Sequence, residues 1–435
     1  MSEMPKPVRK DNYQSPRWSN EYLDCSMPMT FDTYSLCSYR CQYCFSFYQR
    51  IHSKDYEQNN ARFVNVEKVK RLFTDPDSSQ FGKYIKKRIP MQWGGLSEPF
   101  DPTLEPKLGV GLKLLKFFRE IDYPVSFSTK ATWWTRDEKY LDVIRGAKNF
   151  HFKFSIITLD EAKYRIIEQA VPTPEDRLKA LEVVAGLGTA GVNLRLRPFM
   201  IGVSNPTHGE LIRRAAAAGA QALTTEFFCL EARVDLRVKK RYQIMSEACG
   251  FNLWDFYKKN SRGMQGYLRL NYEIKRPFVE EMQDLCKEVG MGFFVSDAHH
   301  KEKCVKADGC RWGSCCGLPD DEYFSNYAKC QFTEALTFAK EKGEVKFTDI
   351  TKFDTDYLRL PWKKAQGLNK LTVDNYTKNF DRSLYDMMRY SWNHPMANNS
   401  PYRYFGKMLI PTGLDENGDM IYRFNQAQYD NRSKK

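Results

Sequence analysis

The chain has 435 residues, of which 42% are hydrophobic, and it carries a formal net charge of +13. Its length excludes a single small domain, and the absence of any run of about eighteen apolar residues argues against a membrane span. Twelve cysteines behind a polar start with no apolar signal segment indicate reduced thiols and metal ligation, so we predict a cytoplasmic protein.

Strand-like runs alternate with helical runs between residues 29 and 231. The predicted strands are Met29–Leu36, Ile89–Trp93, Val125–Thr129, Phe150–Ile157, Val192–Ile201 and Ala222–Leu230. The predicted helices are Val66–Phe73, Gly109–Ile121, Glu138–Ala147, Glu175–Leu187 and Thr207–Ala218. Such alternation predicts a parallel sheet with right-handed crossovers, here a partial (β/α)6 barrel whose functional groups lie at the carboxyl ends of the strands.

Three cysteines, Cys37, Cys41 and Cys44, follow the first strand in the stretch C-S-Y-R-C-Q-Y-C. Three thiolates from one short loop can hold three irons of a [4Fe–4S] cube and leave the fourth open to a substrate or cofactor. The alternatives are a zinc loop, although structural zinc usually takes two cysteine pairs, or three unrelated thiols. The C-x3-C-x2-C spacing, with Tyr43 before the last cysteine, resembles the cluster loop of the radical S-adenosylmethionine (SAM) superfamily.

The later strands end in glycines or charged residues. Gly94 and Gly95, after the second strand, form either an ordinary turn or a place where the backbone approaches a ligand closely. Lys130 ends the third strand, where it is either a surface residue or a point charge that holds a carboxylate. Arg195 and Arg197 share one face of the fifth strand, and because an inward arginine is costly unless paired, we favour a ligand role for one of them.

Four further stretches occur in order along the chain, namely S-T-K at 128–130, S-I-x-T-L-D at 155–160, E-x-x-x-P-x-P-E-x-R-L at 168–178 and R-x-x-P at 195–198. Over about residues 29 to 230, they resemble the spore photoproduct lyase-like branch of the radical SAM enzymes. That branch usually has G-T-x-T-D-P-Y where this chain has G-G-L-S-E-P-F, so a lesion-repair activity is not carried over.

The resemblance implies two groups of site residues. The ligands of a [4Fe–4S] cluster would be Cys37, Cys41 and Cys44. The residues that bind SAM would be Tyr43, Gly94, Gly95, Lys130, Ser155 and Arg197. Within this second group, the two glycines would lie near the amino group of SAM, and Lys130 and Ser155 near its carboxylate or ribose.

Beyond residue 231 the alternation gives way to other patterns. We predict a helix over Pro277–Val289, a strand over Gly292–Ser296 and a hairpin turn at Asn417-Gly418. The predicted segments are an N-terminal extension (1–28), the radical SAM partial barrel (29–231), barrel-completing helices and a strand (232–298), a cysteine-rich auxiliary segment (299–335) and a basic, aromatic C-terminal extension (336–435). The predicted fold class is therefore α/β, a partial (β/α)6 barrel with a C-terminal α+β cysteine-containing extension.

A second group of cysteines comprises Cys304, Cys310, Cys315, Cys316 and Cys330. One interpretation is an auxiliary [4Fe–4S] cluster, and another is a zinc site that uses His299 or His300. A third is a reactive thiol that gives a hydrogen atom to a substrate radical, for which Cys315 and Cys316 are the candidates. Ordinary buried cysteines are the remaining alternative, and we predict that role for Cys25, Cys229, Cys249 and Cys286.

The predicted function follows from the resemblance. It implies an enzyme that reductively cleaves SAM at the cluster, receives electrons from a one-electron reductant such as flavodoxin or ferredoxin, and uses a 5′-deoxyadenosyl radical. The positive charge and the many aromatic residues favour a nucleic acid base or nucleotide as the substrate, to be modified or rearranged. The alternatives are a radical SAM enzyme that modifies a peptide or protein with the help of an auxiliary cluster, and a non-catalytic iron–sulfur or zinc protein that binds nucleic acid.

Overall fold

A row of parallel strands forms the centre of the molecule. The computed structural model describes residues 6–7, 11–19, 27, 29–50, 53–79, 81–232, 235–264, 267–310, 316–324, 332–351, 361–362, 382–397 and 399–430. The parallel strands are β1 (Met29–Phe31), β2 (Met91–Trp93), β3 (Val125–Thr129), β4 (Phe150–Ser155), β5 (Gly191–Phe199), β6 (Ala222–Phe227) and β7 (Gly292–Val295). They lie side by side in chain order, and a short strand, Arg17–Trp18, pairs antiparallel with β1.

A crossover helix lies between each strand and the next. These helices are α1 (Val66–Thr74), α2 (Val110–Glu120), α3 (Glu138–Ile144), α4 (Pro174–Ala185), α5 (His208–Ala217) and α6 (Tyr272–Glu288). Capping residues determine where such helices begin. In α4, the side chain of Thr173, the residue before the helix, accepts a hydrogen bond from the Asp176 amide in the first turn. The predicted partial barrel is confirmed, and β7 extends its row of strands by one.

The two faces of the strands differ in chemistry because the side chains alternate. The outer face of β3 and β4 is aromatic, and the rings of Phe127 and Phe152 stack with their centroids 4.6 Å apart. The inner face is polar, and Ser128 of β3 lies in register with Lys153 of β4, which lies in register with Asn193 of β5. The helices therefore pack on an aromatic layer, while the inside of the barrel holds hydrogen-bonding and charged groups.

The amino-terminal end of the barrel is filled by residues 316–324, which we call the plug. Asn193, near the start of β5, donates a hydrogen bond from Nδ2 to the Gly317 carbonyl at 2.8 Å. The ring of Phe324, fully buried, lies 6.0 Å from that of His151, near the start of β4. Part of the cysteine-rich segment therefore packs against the end of the sheet that is remote from the barrel mouth.

A small antiparallel sheet lies in the C-terminal part of the chain. It consists of Glu344–Val345, Leu409–Leu414 and Met420–Phe424. The last two strands form the hairpin that the sequence predicts, and Gly418 takes the positive φ of 75° that its turn requires. The helices around this sheet are Ala335–Lys342, Phe347–Thr351, Leu384–Asn393, Pro401–Tyr404 and Gln426–Asp430.

The remaining elements are short connections around the barrel. The helices are Phe45–Arg50, Lys54–Glu57, Gly82–Lys86, Glu105–Leu108, Glu161–Ile167, Leu236–Cys249 and Leu253–Asn260, with 3₁₀ turns at Pro76–Ser78, Trp133–Arg136, Ala298–Lys303 and Phe332–Glu334. The strands are Lys6–Pro7, Asn60–Ala61, Leu230–Glu231, Ser261–Met264, Tyr267–Leu270, Pro361–Trp362 and Arg382–Ser383. Among the helices that the structure describes, none has both the length and the apolar character needed to cross a bilayer.

Candidate cofactor site

A cavity of about 670 Å³ lies at the carboxyl ends of the parallel strands. The three cysteines of the first group, Cys37, Cys41 and Cys44, all line it. So do the predicted SAM-binding residues Tyr43, Gly94, Gly95, Lys130, Ser155 and Arg197. Residues that are spread over 161 positions of the sequence thus meet around one space, because parallel strands end at the same edge of the sheet.

Asp101 holds the first half of the cysteine loop. The backbone amide and the hydroxyl of Ser38 donate to its two carboxylate oxygens, each at 2.7 Å. The amides of Thr103 and Leu104 also donate to Asp101, at 3.0 and 3.1 Å. A fully buried carboxylate therefore fixes the residue that follows Cys37.

The second half of the loop is held from two further elements. The amide of Gln42 donates to the carbonyl of Ile167 at 3.0 Å, at the end of the helix Glu161–Ile167. Arg241, on the helix Leu236–Cys249, donates from Nη1 to the carbonyls of Cys41 and Gln42 at 2.8 and 3.1 Å. Its guanidinium carbon also lies 3.5 Å from the centre of the Phe47 ring, so one arginine contacts both the backbone and an aromatic side chain beside the loop.

The buried thiols are held in the protonated form unless a metal displaces the proton. Burial raises the pKa of Cys37 well above its ordinary value, and burial raises that of Cys41 to about 12 even though the Lys130 ammonium acts in the opposite direction. In the part of the chain that the structure describes, no three His, Cys, Asp or Glu side chains are arranged to hold a single metal ion. A cubane cluster does not require that arrangement, because each thiolate binds a different iron.

The paired glycines are required by the packing of the chain itself. Gly94 has a φ of +91°, and a Cβ atom there would lie 2.8 Å from Cγ of Pro99. A Cβ on Gly95 would collide with the hydroxyl of Thr30. The predicted role beside the SAM amino group therefore stays a prediction, since the glycines need no ligand to explain them.

Opposite charges lie on the wall formed by the ends of β2 and β3. Glu98 is buried and accepts from the Thr129 hydroxyl at 2.5 Å and from the Lys130 amide at 2.9 Å. Burial raises the pKa of Glu98 to about 7, against the effect of these hydrogen bonds. The Lys130 ammonium lies 5.6 Å from the centre of the Tyr43 ring. A carboxyl and an ammonium side by side suit a zwitterionic ligand.

Within the described part of the chain, the buried hydroxyl of Tyr39 on the cavity wall has no hydrogen-bond partner. Tyr39 lies between Cys37 and Cys41, is 4% exposed and lines the cavity, yet its OH makes no hydrogen bond. A buried polar atom without a partner is costly, and a polar ligand in the cavity would supply that partner. The donor set therefore fits a cluster with a polar cofactor beside it.

The opposite wall, from β5, β6 and the strand Tyr267–Leu270, carries a positive excess. Arg195, Arg197 and Arg269 all line the cavity there, and Arg197 forms an ion pair with Glu226. Cys229 also lines this wall, whereas the sequence predicts it to be a core residue. Burial raises the pKa of its thiol, which keeps the proton on sulfur. The sequence around a single cysteine after a strand does not show whether the side chain lies in the hydrophobic core or lines a cavity.

The described members of the second cysteine group lie elsewhere. Cys304 is 1% exposed, and its Sγ accepts from the Val295 amide at 3.3 Å, in the core beside β7. Cys310 is exposed, and Cys316 begins the plug near His151. Cys315 and Cys330 lie outside the described residues. The auxiliary cluster, the zinc site and the donor role of Cys315 and Cys316 thus stay predictions, and none of the three described thiols lines the cavity.

Two residues with no role in the sequence analysis join the loop to the sheet. The Tyr43 hydroxyl donates to Glu168, which forms a fully buried ion pair with Arg177 at 2.7 Å. Arg177 also donates to the carbonyl of Ser155, the last residue of β4, at 2.7 Å. Both residues belong to the E-x-x-x-P-x-P-E-x-R-L stretch, so the pattern marked them without revealing what they contact.

Comparisons with known proteins give the following similarities. No family model and no curated protein matches the chain. Among solved structures, a spore photoproduct lyase mutant is 17% identical, with a TM-score of 0.49 over 66% of this chain and 80% of that one. A second mutant, with bound AdoMet and dinucleoside spore photoproduct, is 17% identical, with a TM-score of 0.49 over 67% of this chain and 81% of that one. Streptococcus suis SuiB bound to S-adenosylmethionine is 13% identical, with a TM-score of 0.43 over 89% of this chain and 69% of that one.

Proposed function

We propose that this chain is a radical SAM enzyme. The observation that carries the proposal is the meeting of Cys37, Cys41 and Cys44 with the predicted SAM-binding residues around one cavity at the carboxyl ends of a parallel sheet. The three thiols would hold a [4Fe–4S] cluster, and SAM would lie beside it. When bound, these two groups supply the hydrogen-abstracting radical chemistry that the resemblance implies.

The other residues of the cavity would bind SAM and exclude solvent. Lys130 would neutralise its carboxylate, and the neighbouring carboxyl of Glu98 would accept from its ammonium group. The unpartnered hydroxyl of Tyr39 would hydrogen-bond a polar atom of the ligand. The aromatic side chains of Phe47 and Tyr48 line the cavity beside the loop and would keep water away from the reacting atoms.

For the substrate, we propose a nucleic acid base or a nucleotide. Among the described residues that line the cavity, six are basic and two are acidic. Three of the basic residues lie near the cysteine loop, where the three thiolates would offset their positive charge; these are Arg40, Lys130 and Arg241. The remaining positive charge lies on the wall that also carries Glu226, at Arg195, Arg197 and Arg269. Arginines bind phosphate with bidentate hydrogen bonds, and an enzyme that acts on a base inside a cavity needs that base unstacked from its neighbours.

Release of 5′-deoxyadenosine tests the reaction class. Protein reconstituted anaerobically with iron and sulfide should hold about four irons per chain and release 5′-deoxyadenosine from SAM with dithionite, and in the cell with a donor such as flavodoxin or ferredoxin. Cys41→Ala should abolish both. Four irons without any release of 5′-deoxyadenosine would support a non-catalytic iron–sulfur protein, and bound zinc in place of iron would support a zinc protein.

Binding at several salt concentrations tests the substrate class. Single-stranded oligonucleotides should bind with an affinity that falls steeply with salt, and Arg195→Gln should reduce both the affinity and the salt slope. Arg213→Gln is the matched control, because Arg213 forms an exposed ion pair with Glu288 on the outer surface. Salt-independent binding of peptides, with none of oligonucleotides, would favour a peptide-modifying enzyme instead.

A further inference from the structure

We infer that Glu168 and Arg177 are positioning residues that hold the Cys41–Cys44 half of the loop against the end of β4 and set the charge beside Cys41. The first part of this inference stands on the contacts within the chain. The second part, which concerns the properties of a bound cluster, rests on the proposed function.

The contacts form one continuous chain of hydrogen bonds. The hydroxyl of Tyr43 donates to Oε1 of Glu168, and Nη2 of Arg177 donates to Oε2 of Glu168 at 2.7 Å. The other terminal nitrogen of Arg177 donates to the Ser155 carbonyl at 2.7 Å. Tyr43 stands between two of the cysteines and Ser155 ends β4, so the loop after the first strand is tied to the fourth strand.

The two charges of this pair are taken completely out of water. Both side chains have 0% exposure. Burial alone would raise the pKa of Glu168, but Arg177 reverses that effect and lowers it below its ordinary value, so the carboxylate stays charged at neutral pH. Apolar side chains of similar volume would stabilise a fold as well as a buried ion pair does. The charged pair adds a fixed orientation. Because the guanidinium of Arg177 holds the carboxylate of Glu168 in place, the hydroxyl of Tyr43 can donate to that carboxylate in only one orientation.

The same pair acts electrostatically on the cluster thiols. Glu168 accepts from the hydroxyl of Tyr43, two residues after Cys41, so the charges of Glu168 and Arg177 lie beside the cysteine loop. Replacing Glu168 by neutral glutamine would leave the charge of Arg177 uncompensated. A nearby positive charge stabilises the more negative, reduced state of a cluster, so the reduction potential would rise.

Alkylation of the metal-free protein tests the positioning. In Tyr43→Phe the hydrogen bond to Glu168 is lost, and we expect iodoacetamide to modify Cys41 about tenfold faster, as judged by peptide mass spectrometry. Tyr140→Phe is the matched control, because Tyr140 is also buried and also donates to a buried carboxylate, Glu105, at 2.8 Å, but is not itself hydrogen-bonded to Glu168. Equal rates in the two variants would overturn the positioning role.

A redox titration of the reconstituted protein tests the charge effect. Glu168→Gln should raise the midpoint potential of the cluster, as followed by electron paramagnetic resonance, and Tyr140→Phe should leave it unchanged. An unchanged potential in Glu168→Gln would overturn this part. Where that variant does not fold, Tyr43→Phe takes its place, because Glu168 without the hydrogen bond from Tyr43 can move relative to the cluster. A potential equal to that of Tyr140→Phe would then overturn this part. If the wild-type protein assembles no cluster, the proposed function and the charge effect both fail, whereas the alkylation rates still decide the positioning role.

Discussion

The described cysteines of the two groups differ in whether they line the cavity. Cys37, Cys41 and Cys44 follow β1 directly and line the cavity at the carboxyl ends of the strands. Cys304 instead lies in the core beside β7, and Cys316 belongs to the plug at the amino-terminal end. Dense cysteines alone therefore do not indicate a shared site, because the direction in which a parallel strand runs decides which residues meet a ligand.

The two ends also differ in what their buried polar groups contact. At the mouth, the hydroxyl of Tyr39 has no partner among the described residues, and Glu98 is held in a desolvated position. At the plug, Asn193 hydrogen-bonds the Gly317 carbonyl. The mouth thus holds buried polar groups that face a cavity, while the plug is held by a hydrogen bond within the chain itself. Four experiments would sharpen or break this contrast.

Removal of one thiol from each group should have the largest difference in effect. Cys41→Ala should leave almost no iron after reconstitution and abolish the release of 5′-deoxyadenosine, because one corner of the cube loses its ligand. Cys304→Ala should keep about four irons per chain, as measured by iron analysis. Eight irons in the wild-type protein, falling to about four in Cys304→Ala, would contradict the contrast and establish a second cluster.

Shortening a buried side chain of the plug should lower stability without changing the cavity at the barrel mouth. Phe324 is fully buried, and Phe324→Ala should lower the free energy of unfolding by about 3–5 kcal/mol, as measured by urea denaturation. Iron bound per folded chain should not change. Loss of iron at full stability would mean that the plug takes part in the site after all.

Replacement of Glu98 should change the pH dependence of stability. Because the pKa of Glu98 is raised from 4.5 to about 7 in the folded protein, the folded state holds this proton more tightly than the unfolded state does. Its contribution therefore falls as the pH rises from 4.5 to about 7, by about 3 kcal/mol in the metal-free protein. In Glu98→Gln this fall should be absent from urea denaturation at pH 5 and pH 8, and an unchanged pH dependence would show that Glu98 is not desolvated.

Loss of one hydrogen bond at the plug should have the smallest effect. Asn193→Ala removes the 2.8 Å hydrogen bond to the Gly317 carbonyl and should lower the free energy of unfolding by about 1–2 kcal/mol. The rate of 5′-deoxyadenosine release per folded chain should be the same as in the wild-type protein. A slower rate would show that the two ends of the barrel are coupled.

Regular periodicity made most of the barrel predictable from sequence. The predicted strand Val125–Thr129 matches β3, and the predicted helix Glu175–Leu187 agrees to within two residues at each end with α4, Pro174–Ala185. The first strand is shorter than predicted and ends at Phe31, and the carboxylate of the next residue, Asp32, accepts hydrogen bonds from the amides of Leu96 and Ser97. Such a contact between residues far apart in the sequence cannot be predicted from the local sequence pattern around Asp32.

The site residues that lie in one loop could be predicted from the sequence. The contacts between residues that are far apart in the sequence could not. The three thiols have a recognisable spacing. The ion pair of Glu168 and Arg177 depends on the path of the chain after β4, and the helix Glu161–Ile167, which brings Glu168 to Tyr43, was not predicted. The apolar neighbours Phe227 and Phe228 favour a core position for Cys229. In the structure, however, Cys229 lines the cavity together with Arg269.

The plug also gives the barrel an order of assembly on the ribosome. Neighbouring strands are consecutive in the chain, whereas the hydrogen bond that seals the underside joins residues 124 positions apart. All seven strands therefore emerge before the segment that packs against His151, which is buried in the finished molecule. The nascent barrel stays open to water from below until that segment arrives, which makes closure of its floor a late event in folding.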